Sequence, residues 1–190
     1  MNRITAPTLV NHGTGDLIPL DSSKEWGVLL PGARLLVIEG SGHYPHLEFP
    51  EEEGLPLPAA GVALSPWTDL KCTGDSYRTN AKRDISTLGS WEVWGGYYAG
   101  SNDPSHPWIS PLYGDQHGLP PILIEVGDHE ILLDDARRFA EKARSAGVDI
   151  TLHVWEGMVH CFPLFAPMFP EATQAWEEII AYIKNHLRVD

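Results

Sequence analysis

Short apolar runs alternate with amphipathic stretches along most of this chain. Apolar runs that stop at glycine or at a polar residue are typical of buried parallel strands, and they predict strands at 8–11, 34–39, 59–64, 121–126 and 150–155. Apolar residues at helical spacing, flanked by capping residues, proline or glycine, predict helices at 24–30, 91–98, 136–146 and 170–187. The alternation indicates an α/β fold with a mostly parallel sheet of about five strands flanked by helices.

Domain organisation follows from length and from one interruption of this pattern. A chain of 190 residues fits a single α/β domain spanning 1–190. Glu51-Glu52-Glu53-Gly54 and the proline-spaced Leu55-Pro56-Leu57-Pro58 interrupt it and predict an internal seam near residues 50–56. Asp134 or Asp135 is expected to cap the helix at 136–146.

Composition narrows the possible partners and compartment. A net charge of −13 repels phosphate backbones and anionic lipid, so we expect no nucleic-acid partner. No apolar stretch is long enough for a membrane span, and Met1-Asn2-Arg3-Ile4-Thr5 lacks the apolar core of a signal peptide. With only two cysteines, Cys72 and Cys161, the sequence predicts a cytoplasmic protein.

Acids and histidines follow the predicted strands, at the strand ends where open parallel sheets place their ligand sites. Asp16 and His43 form one such pair, and Glu130 and His160 form a second. The acid precedes the histidine by 27 positions in the first pair and by 30 in the second. Asp128 also precedes His160 and is an alternative acid.

The motifs around these pairs resemble those of known enzymes. Residues from about 54 to 190 resemble the C-terminal half of the hormone-sensitive-lipase-like carboxylesterases, within the α/β-hydrolase superfamily. The motifs fall in family order: Ser110-Pro111-Leu112, Gly118-Leu119-Pro120-Pro121, Val126-Gly127-Asp128-His129-Glu130 and Glu156-Gly157-Met158-Val159-His160. Residues from about 5 to 52 are similar to the C-terminal strands of the classical α/β-hydrolases, through His12-Gly13, Asp16, Gly40 and His43-Tyr44-Pro45-His46. The resemblance implies a partial α/β-hydrolase-like fold made of two hydrolase-tail units.

The resemblance also implies roles for single residues. His160 corresponds to the general base and Glu130, or alternatively Asp128, to the acid that orients it. In the first segment Asp16 corresponds to the acid and His43 to the base, with a structural or relic role as the alternative. We expect no cofactor and no metal, because Pro45 breaks the spacing between His43 and His46.

One element of such a site is missing from the sequence. The nucleophile elbow G-x-S-x-G, which this family places upstream of the acid and the histidine, does not occur in these 190 residues. Two functions therefore stay open. The first is a serine carboxylesterase or lipase-like hydrolase that acts on a small, short-chain carboxylic ester. The second is a catalytically inactive module, truncated, recombined or joined artificially from two hydrolase tails, with a structural or interaction role.

Three further expectations concern surfaces and side chains. A sheet that lacks upstream strands exposes an edge, which predicts a homo-oligomer. Cys161 is expected to pack rather than react, because adjacent side chains point apart on an extended chain. Four tryptophans are expected to fill the core rather than to line an acyl or alcohol pocket; they are Trp67, Trp91, Trp94 and Trp108.

Overall fold

The chain divides into two compact units, Met1–Pro56 and Leu57–Asp190. The computed structural model describes residues 9–13, 34–38, 58–86 and 88–186. Most of this description falls in the second unit, which also carries the site considered below. The single domain with a seam near 50–56 stays a prediction.

The strands in the described ranges pair in parallel. In the first unit, β1 (Leu9–Gly13) pairs with β2 (Arg34–Ile38). In the second unit, β4 (Ile122–Gly127) lies between β3 (Gly61–Leu64) and β5 (Ile150–Trp155). The α/β architecture with parallel strands and flanking helices is confirmed. Apolar periodicity identifies a strand without identifying its neighbour, which depends on tertiary packing.

Four α-helices lie within the described ranges: α1 (Ser76–Thr79), α2 (Leu88–Ala99), α3 (Leu133–Ser145) and α4 (Pro170–His186). The last three were predicted to within a few residues, whereas α1 is too short to show a helical period. The helix predicted at 24–30 lies outside the described residues. None of the described helices has the length and apolarity needed to cross a lipid bilayer.

The start of α3 differs from the prediction. Leu132 occupies the N-cap position, and both candidate caps, Asp134 and Asp135, lie inside the first turn. The Asp135 carboxylate instead accepts hydrogen bonds from the backbone N–H groups of Thr68 (2.9 Å) and Asp69 (2.8 Å). Burial raises the pKa of Asp135 to about 7, even though these two hydrogen bonds favour the charged form. Asp135 thus ties the segment after β3 to α3.

The main core lies between β4 and α3. Every residue of β4 is buried, and alternate side chains from Ile122 to Val126 point to one face. The facing residues of α3 recur at helical spacing: Ala136, Phe139, Ala140 and Ala143. Burying one such large side chain contributes about 1.5–3 kcal/mol, so truncating Phe139 to alanine would cost about 3–5 kcal/mol. This packing fixes the carboxyl end of β4, where the site begins.

Candidate active site

Two of the predicted site residues meet beyond the ends of β4 and β5. Nδ1 of His160 lies 3.4 Å from Oε2 of Glu130. The Glu130 side chain is completely buried, whereas that of His160 retains 22% of its exposure. A buried carboxylate beside a partly exposed imidazole is the arrangement that holds a histidine in one orientation for proton transfer.

The carboxylate of Glu130 is held from its other side. Its Oε1 accepts the backbone N–H of Gly127 at 2.6 Å and the hydroxyl of Ser65 at 2.7 Å. Its Oε2 has no hydrogen-bond partner within the described parts of the chain. Two fixed donors on one oxygen therefore aim the other oxygen at the imidazole of His160.

The alternative acid, Asp128, is directed elsewhere. Its Oδ1 accepts the backbone N–H of Gly157 at 2.7 Å and lies 3.9 Å from Nε2 of His129. Of the two acids, Glu130 is the one that the structure brings against His160. The other predicted pair, Asp16 and His43, lies outside the described residues.

Two side chains from the segment around α1 hold both loops of the site by their backbones. Asp84 accepts the N–H of Ile131 at 2.8 Å and that of His160 at 3.3 Å. Asn80 donates both of its amide hydrogen bonds to backbone carbonyls, those of Asp128 and Glu130, each at 2.8 Å. Sequence reasoning missed both roles. A polar residue in a turn gives no signal that its partners are backbone groups far along the chain.

Cys161 lies in the site, contrary to the expectation that it points away from His160. Its backbone is left-handed (φ 53°, ψ 33°), and its Sγ lies 3.4 Å from Nε2 of His160. The backbone N–H of Cys161 donates to Oγ of Ser65 at 2.8 Å, which stabilises this conformation. The expectation was wrong because it assumed an extended backbone, on which neighbouring side chains diverge. The left-handed residue turns the thiol towards the preceding ring.

The surroundings of His160 favour its charged form. Burial by itself disfavours an imidazolium, but the Cys161 thiol and the Glu130 carboxylate more than offset it and raise the pKa of His160 to about 10. At neutral pH the ring is therefore an imidazolium, and each of its nitrogens carries a proton that it can donate in a hydrogen bond.

Aromatic side chains flank the histidine. The Trp91 ring meets the His160 ring edge to face at 5.2 Å and contacts Trp67 (4.7 Å) and Trp94 (5.3 Å) in the same way. Trp91 is buried, as expected of a core residue. Trp94 and Trp108 are 47% and 53% exposed, so the prediction that they fill the core is wrong. Trp91 gives His160 an apolar neighbour that restricts water on that side.

A separate group of side chains has metal-ligand chemistry, although no metal was expected. Nδ1 of His153 lies 3.1 Å from Oε1 of Glu125 and 2.9 Å from Oε2 of Glu178, and the three ligand atoms lie within 4.8 Å of one another. Burial raises the pKa of Glu125, against the lowering effect of Trp155 and His153. The group contains none of the predicted catalytic residues. Its three atoms could hold a divalent cation, and His153 already links β5 to β4 through Glu125 and to α4 through Glu178.

Comparison with known proteins identifies the family. Residues 47–164 match the family model for the alpha/beta hydrolase fold. An acetyl-hydrolase of Streptomyces hygroscopicus is 42% identical over 136 residues, which cover 70% of this chain and 45% of the relative. An esterase of Acinetobacter venetianus is 40% identical over 129 residues, covering 66% of this chain and 42% of the relative. The chain thus spans less than half the length of these curated relatives.

Solved structures show the same likeness. An esterase from the bacterial hormone-sensitive lipase family superposes with a TM-score of 0.73 at 37% identity, over 88% of this chain and 59% of that one. A hormone-sensitive lipase from a metagenome library gives a TM-score of 0.72 at 31% identity, over 88% of this chain and 57% of that one. Both sequence and structure therefore point to one family.

Proposed function

This chain belongs to the alpha/beta hydrolase fold family, among relatives named as esterases and lipases, and we propose that it supplies the acid and base of a carboxylesterase acting on short-chain carboxylic esters. The observation that carries the proposal is the contact between Glu130 and His160. The name of one relative, an acetyl-hydrolase, supports a short acyl group in the substrate.

The proposed roles follow from the two nitrogens of His160. Nδ1–H faces Oε2 of Glu130, so the carboxylate stabilises the positive charge that develops when the ring accepts a proton. Nε2 then takes the proton of the attacking hydroxyl and returns it to the leaving alcohol. In this proposal Asp128 has no part in proton transfer, because it binds the backbone of Gly157.

The serine of this reaction is not assigned to any of the 190 residues, since none lies in a G-x-S-x-G elbow. The pH dependence can still be derived from His160. With a pKa of about 10, the neutral ring that acts as a base becomes more abundant as pH rises towards 10. Ester hydrolysis that depends on His160 should therefore increase between pH 7 and pH 10.

The test measures turnover of p-nitrophenyl acetate and covalent labelling by a fluorophosphonate probe, with the full chain and its His160→Ala variant. We expect hydrolysis above the buffer rate that is lost in the variant. Turnover that is the same in both proteins, or absent from both, would contradict the proposal. The phosphonate reports independently whether a serine in this chain is reactive, because it needs an activated hydroxyl but no ester turnover.

A second candidate is a non-catalytic module that associates with a copy of itself. It is supported by β3, which is hydrogen-bonded to β4 on one side and to no other strand within the described ranges. Such a strand offers unpaired backbone groups to a second chain. An inactive protein that forms a stable dimer in sedimentation experiments would favour this candidate over the esterase.

We propose the cytoplasm as the compartment. Cys72 and Cys161 both carry free thiols. Free thiols are maintained in reducing compartments, which supports this proposal over an oxidising one. Trapping of thiols in intact cells with a membrane-permeant maleimide would test it: recovery of the two cysteines as an oxidised species would count against it.

A further inference from the structure

We infer that Cys161 is a nucleophilic thiol, activated by His160 and Glu130, that accepts an acyl group from an activated carboxylic ester. The inference takes its substrate class from the proposed function, but the activation of the thiol stands on geometry alone. It gives the chain a nucleophile that does not require a serine elbow.

The geometry is a continuous relay of three side chains. Cys161 Sγ lies 3.4 Å from Nε2 of His160, and Nδ1 of the same ring lies 3.4 Å from Oε2 of Glu130. The thiol, the imidazole and the carboxylate therefore stand in the order that activates a cysteine in enzymes that use one as a nucleophile. Cysteine attacks as the thiolate, and a neighbouring imidazolium stabilises that form.

The environment of Glu130 gives independent evidence that His160 is positively charged. The residue is completely buried, and its Oε2 has no hydrogen-bond partner in the described part of the chain. A buried, unsatisfied carboxylate oxygen is costly unless a positive charge faces it. A protonated His160 provides that charge, and the imidazolium is the stable form of this ring at neutral pH.

The position of the thiol is fixed by backbone interactions. Cys161 adopts a left-handed conformation, which is uncommon for a residue with a side chain, and its N–H donates to Ser65 Oγ. Ser65 in turn donates to Glu130. One hydroxyl thus connects the backbone of the nucleophile to the acid of the relay. Asp84 is a further acidic residue beside His160, and its carboxylate accepts the backbone N–H of His160.

The proposed step balances without an oxidant or a reductant. In the proposed step the proton shared by Cys161 and His160 lies on Nε2 of His160, and the Sγ thiolate attacks the carbonyl carbon of the ester. A carbon–sulfur bond forms, the bond from that carbon to the leaving oxygen breaks, and the product is a thioester on Cys161. The leaving alkoxide takes the proton from His160, or departs as the anion when it is a good leaving group such as nitrophenolate.

Cys72 is a matched internal control. Both cysteines are partly buried, so exposure alone does not favour either. Within the described ranges no imidazole contacts Cys72: its Sγ is 3.8 Å from the carbonyl oxygen of Leu70, and burial raises the pKa of its thiol to about 11. A thiol of this kind is almost entirely protonated at neutral pH and reacts slowly.

The first experiment tests activation without an ester. The full chain is treated with limiting iodoacetamide at pH 7, and the modification of each cysteine is followed by peptide mass spectrometry. We expect Cys161 to react at least about tenfold faster than Cys72, and His160→Gln to remove most of this difference while Cys72 keeps its rate. Equal rates at the two cysteines, or an unchanged rate at Cys161 in His160→Gln, would overturn the inference.

The second experiment locates the acyl group after a short reaction with p-nitrophenyl acetate. We expect one acetyl group on Cys161, lost in Cys161→Ala and kept in Cys72→Ala. An acetyl group on a serine with Cys161 unmodified would overturn the inference and leave the proposed esterase function standing. Acetylated Cys161 that is not hydrolysed would support the inference and contradict the proposed esterase function. The experiment therefore distinguishes failure of the inference from failure of the proposed function.

Discussion

Glu130 and His160 face each other across 3.4 Å although they are separated by the whole of α3 and β5 in the sequence. The contact arises because β4 and β5 are parallel neighbours, so the loops that follow them leave the same edge of the sheet. Each loop is then fixed by donors or acceptors from outside it, namely Ser65, Asn80 and Asp84.

Glu130→Gln and Asp128→Asn separate the two candidate acids. A glutamine at 130 can still accept from Gly127 and Ser65, but its amide then presents N–H groups to Nδ1 and favours the wrong imidazole tautomer. We expect Glu130→Gln to lower His160-dependent ester turnover by about 10²-fold or more, and Asp128→Asn to change it far less. The reverse order, measured with p-nitrophenyl acetate, would identify Asp128 as the acid.

The protonation of His160 should depend on its neighbouring residue. Because the Cys161 thiol helps to raise the pKa of His160 to about 10, Cys161→Ala should lower that pKa towards 6.5. The measurement is the titration midpoint of the His160 ring in NMR spectra of the two proteins, with Cys72→Ala as the control. An identical midpoint in wild type and Cys161→Ala would show that the thiol does not influence the ring.

The same shift has a consequence for stability. A histidine whose pKa is raised on folding stabilises the folded state fully below its unfolded value of 6.5, and this contribution is lost as pH rises through about 10. The free energy of unfolding in urea should therefore fall between pH 6.5 and pH 10, and fall less in Cys161→Ala. Groups other than His160 and Cys161 titrate in both proteins, so the difference between the two curves isolates this pair.

Gly127 is expected to tolerate no side chain. A Cβ at this position would lie 2.0 Å from the carbonyl oxygen of Met158, in the loop that leads to His160. Gly127→Ala must displace backbone and should lower the free energy of unfolding by at least about 1–3 kcal/mol. Gly96→Ala is the matched control, since a Cβ there meets no atom within 4 Å, and it should stabilise α2 by about 0.5–1 kcal/mol. Urea unfolding of the two variants would test whether Gly127→Ala lowers the free energy of unfolding and Gly96→Ala raises it.

Self-association through β3 can be tested with one proline. Gly61 and Ser65 donate their N–H groups to the β4 side, at Pro121 and Glu125, so the alternation of a strand turns the N–H of Val62 to the open side. Val62→Pro should remove that donor, keep the β3–β4 pairing and weaken any dimer. Sedimentation of both proteins across a wide concentration range provides the measurement. A wild-type chain that stays monomeric throughout would refute the predicted homo-oligomer.

The elements that were predicted well are those whose residues are buried along a regular period. β5 was predicted with both of its ends, and α4 with its start at Pro170, because apolar spacing and proline mark them in the sequence. The predicted start of α3 differs from the observed one because Asp134 and Asp135, the expected capping residues, bind other parts of the chain. In a sequence, an aspartate that caps a helix cannot be distinguished from one that binds backbone groups elsewhere in the chain.

Site geometry was less predictable than site composition. The family motifs indicated Glu130, Asp128 and His160, and only the fold shows which acid faces the ring. The position of the Cys161 side chain could not be predicted because it depends on a left-handed backbone conformation. The sequence around Cys161 gives no signal for this conformation. The roles of Asn80 and Asp84 depend on contacts between residues that are distant in sequence.

The Asp84 carboxylate binds two loops through the main-chain N–H groups of Ile131 and His160. The support that Asp84 gives to the loop at position 160 therefore does not depend on which side chain that position carries. A scaffold of this kind permits exchange of the chemical group without rebuilding its support. Replacing His160 by a metal-binding or non-natural residue would inherit an already positioned backbone, which makes this loop a practical starting point for engineering a different reaction.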